Sequence, residues 1–329
     1  MVTRNDGYGE NLIHRLNTSI NSIVKLFENE RRINVELVVV EWNPPSQHEK
    51  IEKVIEVPVE IESTDINIIT VPEEMHYELP NSESIPFFEY VGKNVGIRRS
   101  KYENVLSTNS DVVFNRGLVS YLVEESISDR TFYRIRRYDV RGNTPSTGKM
   151  EKVLSYCRNN TYRVSTPNGF RTTSKKNKLL NTLEKVLRNI KNPIKILKRV
   201  RSRILKTKED NTEEGEALKK LFTMTSGDFL LMRKKMWETI EGYRERGSNL
   251  HVDGLACAEA LAKGMTQRII EEPARLYHPE HDRSERDERP NTEYTDFVRE
   301  AKGIIERECV KRKEDWGLKS ADLDKVRIR

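Results

Sequence analysis

Residues 104–114 read Asn-Val-Leu-Ser-Thr-Asn-Ser-Asp-Val-Val-Phe, and this stretch decides how the rest of the chain is read. A short apolar strand around Val105-Leu106 runs into Thr108-Asn109-Ser110-Asp111, and Val112, Val113 and Phe114 follow at once. A carboxylate between two apolar segments is not an ordinary surface charge. Removing it from water is costly unless a cation or hydrogen bonds compensate. An acid at the carboxyl end of a buried strand is where open α/β sheets gather ligand chemistry. The plain alternative is a strand-to-helix turn in which Asp111 caps the next helix.

Working outward, residues 1–140 alternate between the two periodicities. Leu12, Leu16, Ile20, Ile23 and Phe27 recur at helical spacing. Val35 to Trp42 is a β-rich run stopped by Asn43-Pro44-Pro45, and Ile66 to Val71 is a second run ended by Pro72. A helix is expected from Phe87 to Arg99, with Phe88, Val91 and Val95 inward. Another is expected over about 116–125, before a strand around Phe132–Val140. Strands separated by helices of this length imply an α/β fold with a mostly parallel central sheet flanked by helices.

Four blocks follow from this reading: the α/β half 1–140, an irregular and basic helical insertion 141–220, a return to the same domain over 221–282, and a polar, partly helical tail 283–329. Residues 141–173 are rich in glycine, proline and asparagine and are read as irregular.

The chain has 329 residues, enough for a substantial core. No apolar run approaches the ~20 residues of a membrane span, and Met1 to Asp6 lacks the apolar core of a signal peptide. Cys157, Cys257 and Cys309 are far apart and odd in number, which suggests reduced thiols in a cytoplasmic protein. The net charge of +6 is local: thirteen Lys/Arg and one acid, Glu184, lie between Lys175 and Lys208, and the rest of the chain is slightly acidic.

Taken in order, several segments resemble the nucleotide-sugar glycosyltransferases of the GT-A fold. Val2-Thr3-Arg4-Asn5-Asp6 before an amphipathic helix is similar to that family's first strand and loop. Val38 to Asn43 resembles its second strand, which ends in an acid, here Glu41. Lys93 to Ser100 is similar to the helix that precedes the metal motif, and Thr108-Asn109-Ser110-Asp111 stands where the family carries Asp-x-Asp, with Asn109 in the first position. Ser226-Gly227-Asp228 and the apolar run after it resemble the acceptor-side strand.

The resemblance implies a transferase that moves a sugar from a nucleotide-diphosphate donor to a hydroxyl acceptor, a glycan or lipid-linked glycan. It also implies a divalent metal, Mn2+ or Mg2+, held by Asp111 and by His278 or His281, of which His278 is preferred because Leu276-Tyr277 before it reads as a strand. Thr3, Arg4, Asp6, Glu41, Asn94, Arg98 and Asn109 would line the nucleotide pocket. Asp253, in His251-Val252-Asp253 before a helix, would be the general base, with Asp228 as a second candidate. Asp253 reads equally as a helix N-cap, and the histidines as surface imidazoles. The family's first strand has several apolar residues, whereas Met1 and Val2 are all that this chain offers.

Leu180, Leu183, Leu187, Ile190, Ile194 and Leu197 form an apolar helical stripe within the basic segment. The stripe fits packing on the main domain, or a peripheral helix on an anionic membrane over residues 174–208. Nucleic-acid binding is disfavoured because no aromatic residues interleave for stacking. The rival functions are a non-catalytic sugar- or partner-binding relative, a basic nucleic-acid-binding protein, and a nucleotidyltransferase, for which Gly7-Tyr8-Gly9 is too sparse a phosphate loop.

Overall fold

A computed structural model describes residues 1–30, 32–57, 61–145, 149–167, 169–173, 213–282, 294–306 and 315–328. The chain opens with β1 (Val2–Thr3), α1 (Leu12–Glu30), β2 (Val35–Trp42), α2 (Ile51–Val54), β3 (Thr64–Val71), α3 (Glu73–Tyr77) and α4 (Glu89–Arg99). Next come β4 (Asn104–Thr108), β5 (Val113–Phe114), α5 (Arg116–Glu124), β6 (Thr131–Ile135), β7 (Arg137–Val140), α6 (Met150–Asn160), β8 (Thr161–Thr166) and β9 (Gly169–Thr172). The second half contributes β10 (Phe229–Arg233), β11 (Thr266–Ile270), β12 (Leu276–Pro279) and β13 (Lys325–Arg327), with helices at Val252–Ala262 and Tyr294–Glu306 among others.

The protein is α/β with three mixed sheets, ordered β1-β2-β3-β13, β11-β6-β10-β4 and β5-β12-β7-β8-β9. The β1–β2–β3 ladder is parallel, as are β6–β11 and β7–β12. The other pairings among the described residues are antiparallel, so the expected parallel arrangement holds for β1–β2–β3, while parallel pairs are the minority in the other two sheets. The physical reason lies in the connections. The β8–β9 hairpin needs no crossover helix, and β10 enters between β4 and β6 running against both.

β2 explains why the first half folds as it does. Its Val38-Val39-Val40 run is buried on both faces, as a strand between two helical layers must be. Leu37 and Val39 belong to the same apolar cluster as Leu16, Ile20, Ile23 and Phe27 of α1. Val38, Val40 and Trp42 pack with Phe88, Val91 and Val95 at and within α4. Two glycines let α4 come close: a Cβ at Gly92 would stand 2.5 Å from Val2 Cγ2, and one at Gly96 3.4 Å from Val40 Cγ2.

Two expectations are corrected. Residues 141–173, read as irregular, contain α6 and the β8–β9 hairpin. Val153, Leu154 and Cys157 form the buried stripe of α6, and Tyr162 and Val164 alternate inward along β8, periods outweighed in the sequence by neighbouring glycines and prolines. The tail is not simply polar: β13 pairs with β3, and Trp316 is buried. The basic segment 174–208, with its predicted helices, lies outside the described residues. No helix among the described residues is long and apolar enough to cross a membrane. Cys157 and Cys257 are buried free thiols, and Cys309 lies outside the described residues.

The Met1 α-amino group is buried and donates to Val38 O at 2.8 Å. Burial, helped by the nearby Lys93 ammonium, pushes its pKa down from 8.0 to about 5. Between those values the unfolded chain holds a proton there and the folded chain does not, so stability falls as pH drops from 8 towards 5. Relative to N-terminally acetylated protein, urea titrations across this range should show a loss of up to about 4 kcal/mol. Parallel curves for the two forms would contradict the burial of a charged terminus.

Candidate functional site

Two strand registers build the site. Antiparallel pairing of β4 with β10 sets Thr108 against Phe229, so Asn109, one residue after Thr108, meets Asp228, one residue before Phe229. Asn109 Nδ2 donates to Asp228 Oδ1 at 2.8 Å, and Thr108 Oγ1 donates to Asp228 O at 2.7 Å. Pairing of β5 with β12 sets Val113 against Tyr277, which brings Asp111 alongside His278.

The result is a three-donor cluster. His281 Nε2 lies 3.1 Å and His278 Nε2 3.6 Å from Asp111 Oδ2, and all three candidate ligand atoms fall within 4.8 Å of one another. Donors bound to one ion at about 2.0–2.2 Å stand roughly 3.0–3.5 Å apart, close to these separations. Asp111 Oδ1 is buried with no hydrogen-bond partner among the described residues, which leaves it available to a cation. Burial works to raise the Asp111 pKa. The imidazoles of His278 and His281 and the Arg15 guanidinium outweigh it and hold the carboxyl well below its ordinary range. A carboxylate and two imidazoles form a mixed oxygen and nitrogen set that suits manganese, iron or zinc, with positions left for a ligand's oxygens.

The loop from Arg4 to Asn11 wraps this cluster. Arg15, buried on α1, donates to the carbonyls of Tyr8 and Gly9 at 2.8 and 2.7 Å, and the Tyr8 ring meets His281 edge-on at 5.6 Å. Gly9 has φ +66°, and a Cβ there would stand 2.7 Å from His281 Nδ1 and 2.6 Å from Asp282 O. Only glycine fits both the backbone and the space.

The cluster opens into a cleft of about 860 Å³ whose wall includes Thr3, Arg4, Asn109, Asp111, Asp228, Asp253, His278 and His281. These come from the first half and from the return segment, while Arg163 and Phe170 of the β8–β9 hairpin close another side. Thr3 Oγ1 is a second buried polar atom without a hydrogen-bond partner among the described residues. Arg4 is held by Asn43 O at 2.8 Å and by Asp6 Oδ2 at 3.2 Å.

The two candidate bases differ in their surroundings. Asp228 is committed: its second oxygen accepts from Arg137 Nη1 at 2.9 Å, and its first from Asn109. Asp253 lies in the first turn of Val252–Ala262 and is only partly buried. It does not cap that helix. Its Oδ2 accepts from Ser226 Oγ and Gly227 N–H, at 2.8 and 2.7 Å.

Four residues expected at the nucleotide pocket do not line this cleft. Asn94 is buried and bonded to the backbone of Tyr243 and to Glu245. Arg98 stacks on Trp316 and donates to its carbonyl at 2.6 Å, holding the C-terminal segment. Glu41 is fully buried, with Oε1 accepting from Ile51 N–H at 2.9 Å, and burial pushes its pKa up. Asp6 binds Arg4 and the Tyr8 N–H. Each is an anchor whose partner lies far along the chain or within a loop, which no local pattern reveals. Asn109 does line the cleft, but its amide is spent between Lys93 Nζ at 2.5 Å and Asp228.

Arg137, Arg163, Arg15 and Tyr8 were not anticipated as parts of the site. The available signals were polar residues within the apolar β6–β7 run and the Gly7-Tyr8-Gly9 turn. No protein-family model and no curated protein matches this chain.

In titrations with Mn2+, the wild type should bind one ion and Asp111→Ala should lose at least about 100-fold in affinity. Gly9→Ala should weaken the ion by about 10-fold or more by displacing His281, with the circular dichroism spectrum unchanged. Equal affinities in all three proteins would rule out this cluster as the metal centre.

Proposed function

We propose that this chain is a metal-assisted glycosyltransferase of the GT-A type, transferring a sugar from a nucleotide-diphosphate donor to a hydroxyl acceptor. The observation that carries the reading is one cleft that combines the Asp111/His278/His281 cluster, a Thr3 hydroxyl with no hydrogen-bond partner among the described residues, and the Asp253 carboxylate. The parallel β1–β2–β3 ladder with α1 and α4 on its two faces supports the same reading. A fold by itself would not assign a function.

Asp111, His278 and His281 would hold the ion. A divalent cation bound there neutralises negative charge on a departing nucleoside diphosphate. The remaining roles belong to the protein. Thr3 Oγ1 and the Arg4–Asn11 loop bind and orient the donor beside the cluster. Lys93, Asn109, Asp228 and Arg137 form a hydrogen-bonded wall. As the acceptor oxygen forms its bond to the sugar's anomeric carbon, the bond from that carbon to the diphosphate oxygen breaks. Asp253 takes the acceptor's proton, and the hydrogen bonds from Ser226 and Gly227 to Oδ2 fix the carboxylate for that task. Phe170, Arg163 and Leu250 at the cleft rim would meet the acceptor, a glycan or lipid-linked glycan.

Calorimetry with UDP and GDP, with and without Mn2+, tests the donor site: micromolar binding that needs the ion and disappears in Asp111→Ala is expected. Asp253→Asn should then leave nucleotide affinity within about 2-fold while lowering donor turnover by roughly 10²–10⁴. Nucleotide binding with no donor turnover in the wild type would favour the non-catalytic sugar-binding alternative. An ion site selective for Fe2+ without nucleotide affinity would replace the reading with a different metal chemistry.

A further inference from the structure

A row of residues crosses the β5-β12-β7-β8-β9 sheet from the metal cluster to its edge. The β7–β12 register sets His278 against Asp139, the β7–β8 register sets Asp139 against Arg163, and the β8–β9 register sets Arg163 against Thr172. Two strand spacings, about 10 Å, therefore separate the backbones of His278 and Arg163. Asp139 is buried, lies 2.7 Å from Arg137 Nε and accepts from Arg163 Nε. The two arginines differ. Arg137 is buried and gives Nη1 to Asp228, whereas the Arg163 side chain is 36% exposed and its one hydrogen bond among the described residues is that from Nε to Asp139. The Arg163 guanidinium lies over the Phe170 ring at 4.3 Å and over the Tyr162 ring at 5.2 Å. Phe170 is itself 40% exposed and lines the cleft beside Arg163.

We propose that Arg163 and Phe170 form an acceptor subsite for a sugar bearing a negative charge, a carboxylate or a phosphate, and that this charge selects the acceptor.

The inference rests on the transferase reading above and names the class of its acceptor. A guanidinium carries five N–H donors in a fixed fork, and the Nε bond to Asp139 uses one of them. That bond and the two rings fix the plane of the group, so little freedom is lost when an oxyanion takes the remaining donors. The exposed Phe170 ring offers an apolar face to the C–H side of a pyranose, and an aromatic wall with a few placed polar groups is the usual make-up of a ligand pocket. The donor's diphosphate belongs at the other end of the row, with the ion at His278, and the distance between leaves room for the transferred sugar. Single-stranded nucleic acid also combines arginine with aromatic stacking, but it needs a succession of ring platforms. Of the exposed large apolar side chains among the described residues, Phe170 alone lines the cleft.

The test is a set of ligand-observed NMR titrations of the full chain, without metal or nucleotide. Methyl β-glucuronide and glucose 6-phosphate are compared with neutral methyl β-glucoside. At least one charged sugar should bind about 10-fold or more tightly than the glucoside, and which of them does so tells a carboxylate from a phosphate. Arg163→Gln should abolish the preference with an unchanged circular dichroism spectrum. Arg163→Lys should keep at most part of it, because an ammonium lacks the fork, and Phe170→Ala should weaken charged and neutral sugars alike. Equal affinities for charged and neutral sugars, no binding of any of them, or a preference that survives both Arg163 substitutions would overturn the proposal. So would a loss of UDP affinity in Arg163→Gln, which would give the guanidinium to the donor's diphosphate. Tighter binding of a thymidine oligonucleotide about ten residues long would overturn it in favour of a nucleic-acid groove. The sugar titrations need neither ion nor donor, so their failure leaves Mn2+-dependent nucleotide binding standing, and failure of nucleotide binding does not decide them.

Discussion

A chain of buried polar contacts from Lys93 to Arg137 holds the cleft together. Lys93 Nζ donates to Glu89, to Asn109 Oδ1 and to the Gly227 carbonyl; Asn109 passes the link to Asp228, and Asp228 to Arg137. This one path joins α4, the end of β4, the turn before β10, and β7. Lys93, Asp228 and Arg137 are all more than nine-tenths buried, so each charge depends on the next. Removing one member would strand the others in a poorly solvating interior, typically at about 3–5 kcal/mol. The elements must therefore dock in a single arrangement, and the cleft wall is rigid because its charges have no other way to be satisfied.

The Asp111 cluster follows different logic. Oδ1 of Asp111 and Oγ1 of Thr3 are buried and without hydrogen-bond partners among the described residues, and both residues line the cleft. Unsatisfied acceptors beside two imidazoles are destabilising by themselves, and a ligand turns that cost into binding energy. The cleft thus combines a satisfied, stiff wall with an unsatisfied floor. The same contrast separates Asp228 from Asp253, since one carboxylate is committed to an arginine and the other lines the cleft with its hydrogen bonds, among the described residues, on Oδ2.

Much of the first half was legible because its residues answer to local periodicity. Leu16, Ile20, Ile23 and Phe27 are the inward stripe of α1, and Val35 to Trp42 is β2 with the bounds the sequence suggested. Asp111 and His278, which the sequence set apart as polar residues beside apolar runs, line one cleft with Asp253, which stood out as an acid at the start of a helix. Asn94, Arg98 and Glu41 stood out in the same way and were misplaced. A conspicuous polar residue also arises when it anchors a distant segment, as Arg98 anchors Trp316, and the spacing along one helix carries no trace of that partner.

The sequence alone thus determined the alternation of helix and strand, the apolar faces, and the acids at strand ends, because each depends on neighbours within a few residues. It also revealed how few apolar residues lead into the first loop. Only the tertiary structure decided that His281 joins His278 at Asp111 and that Asn109 bridges Lys93 to Asp228. These depend on strand register and on contacts across more than a hundred residues. Such contacts are selected by the packing of the whole core, since a register that buries every apolar face and pairs every buried charge exists only for the assembled chain.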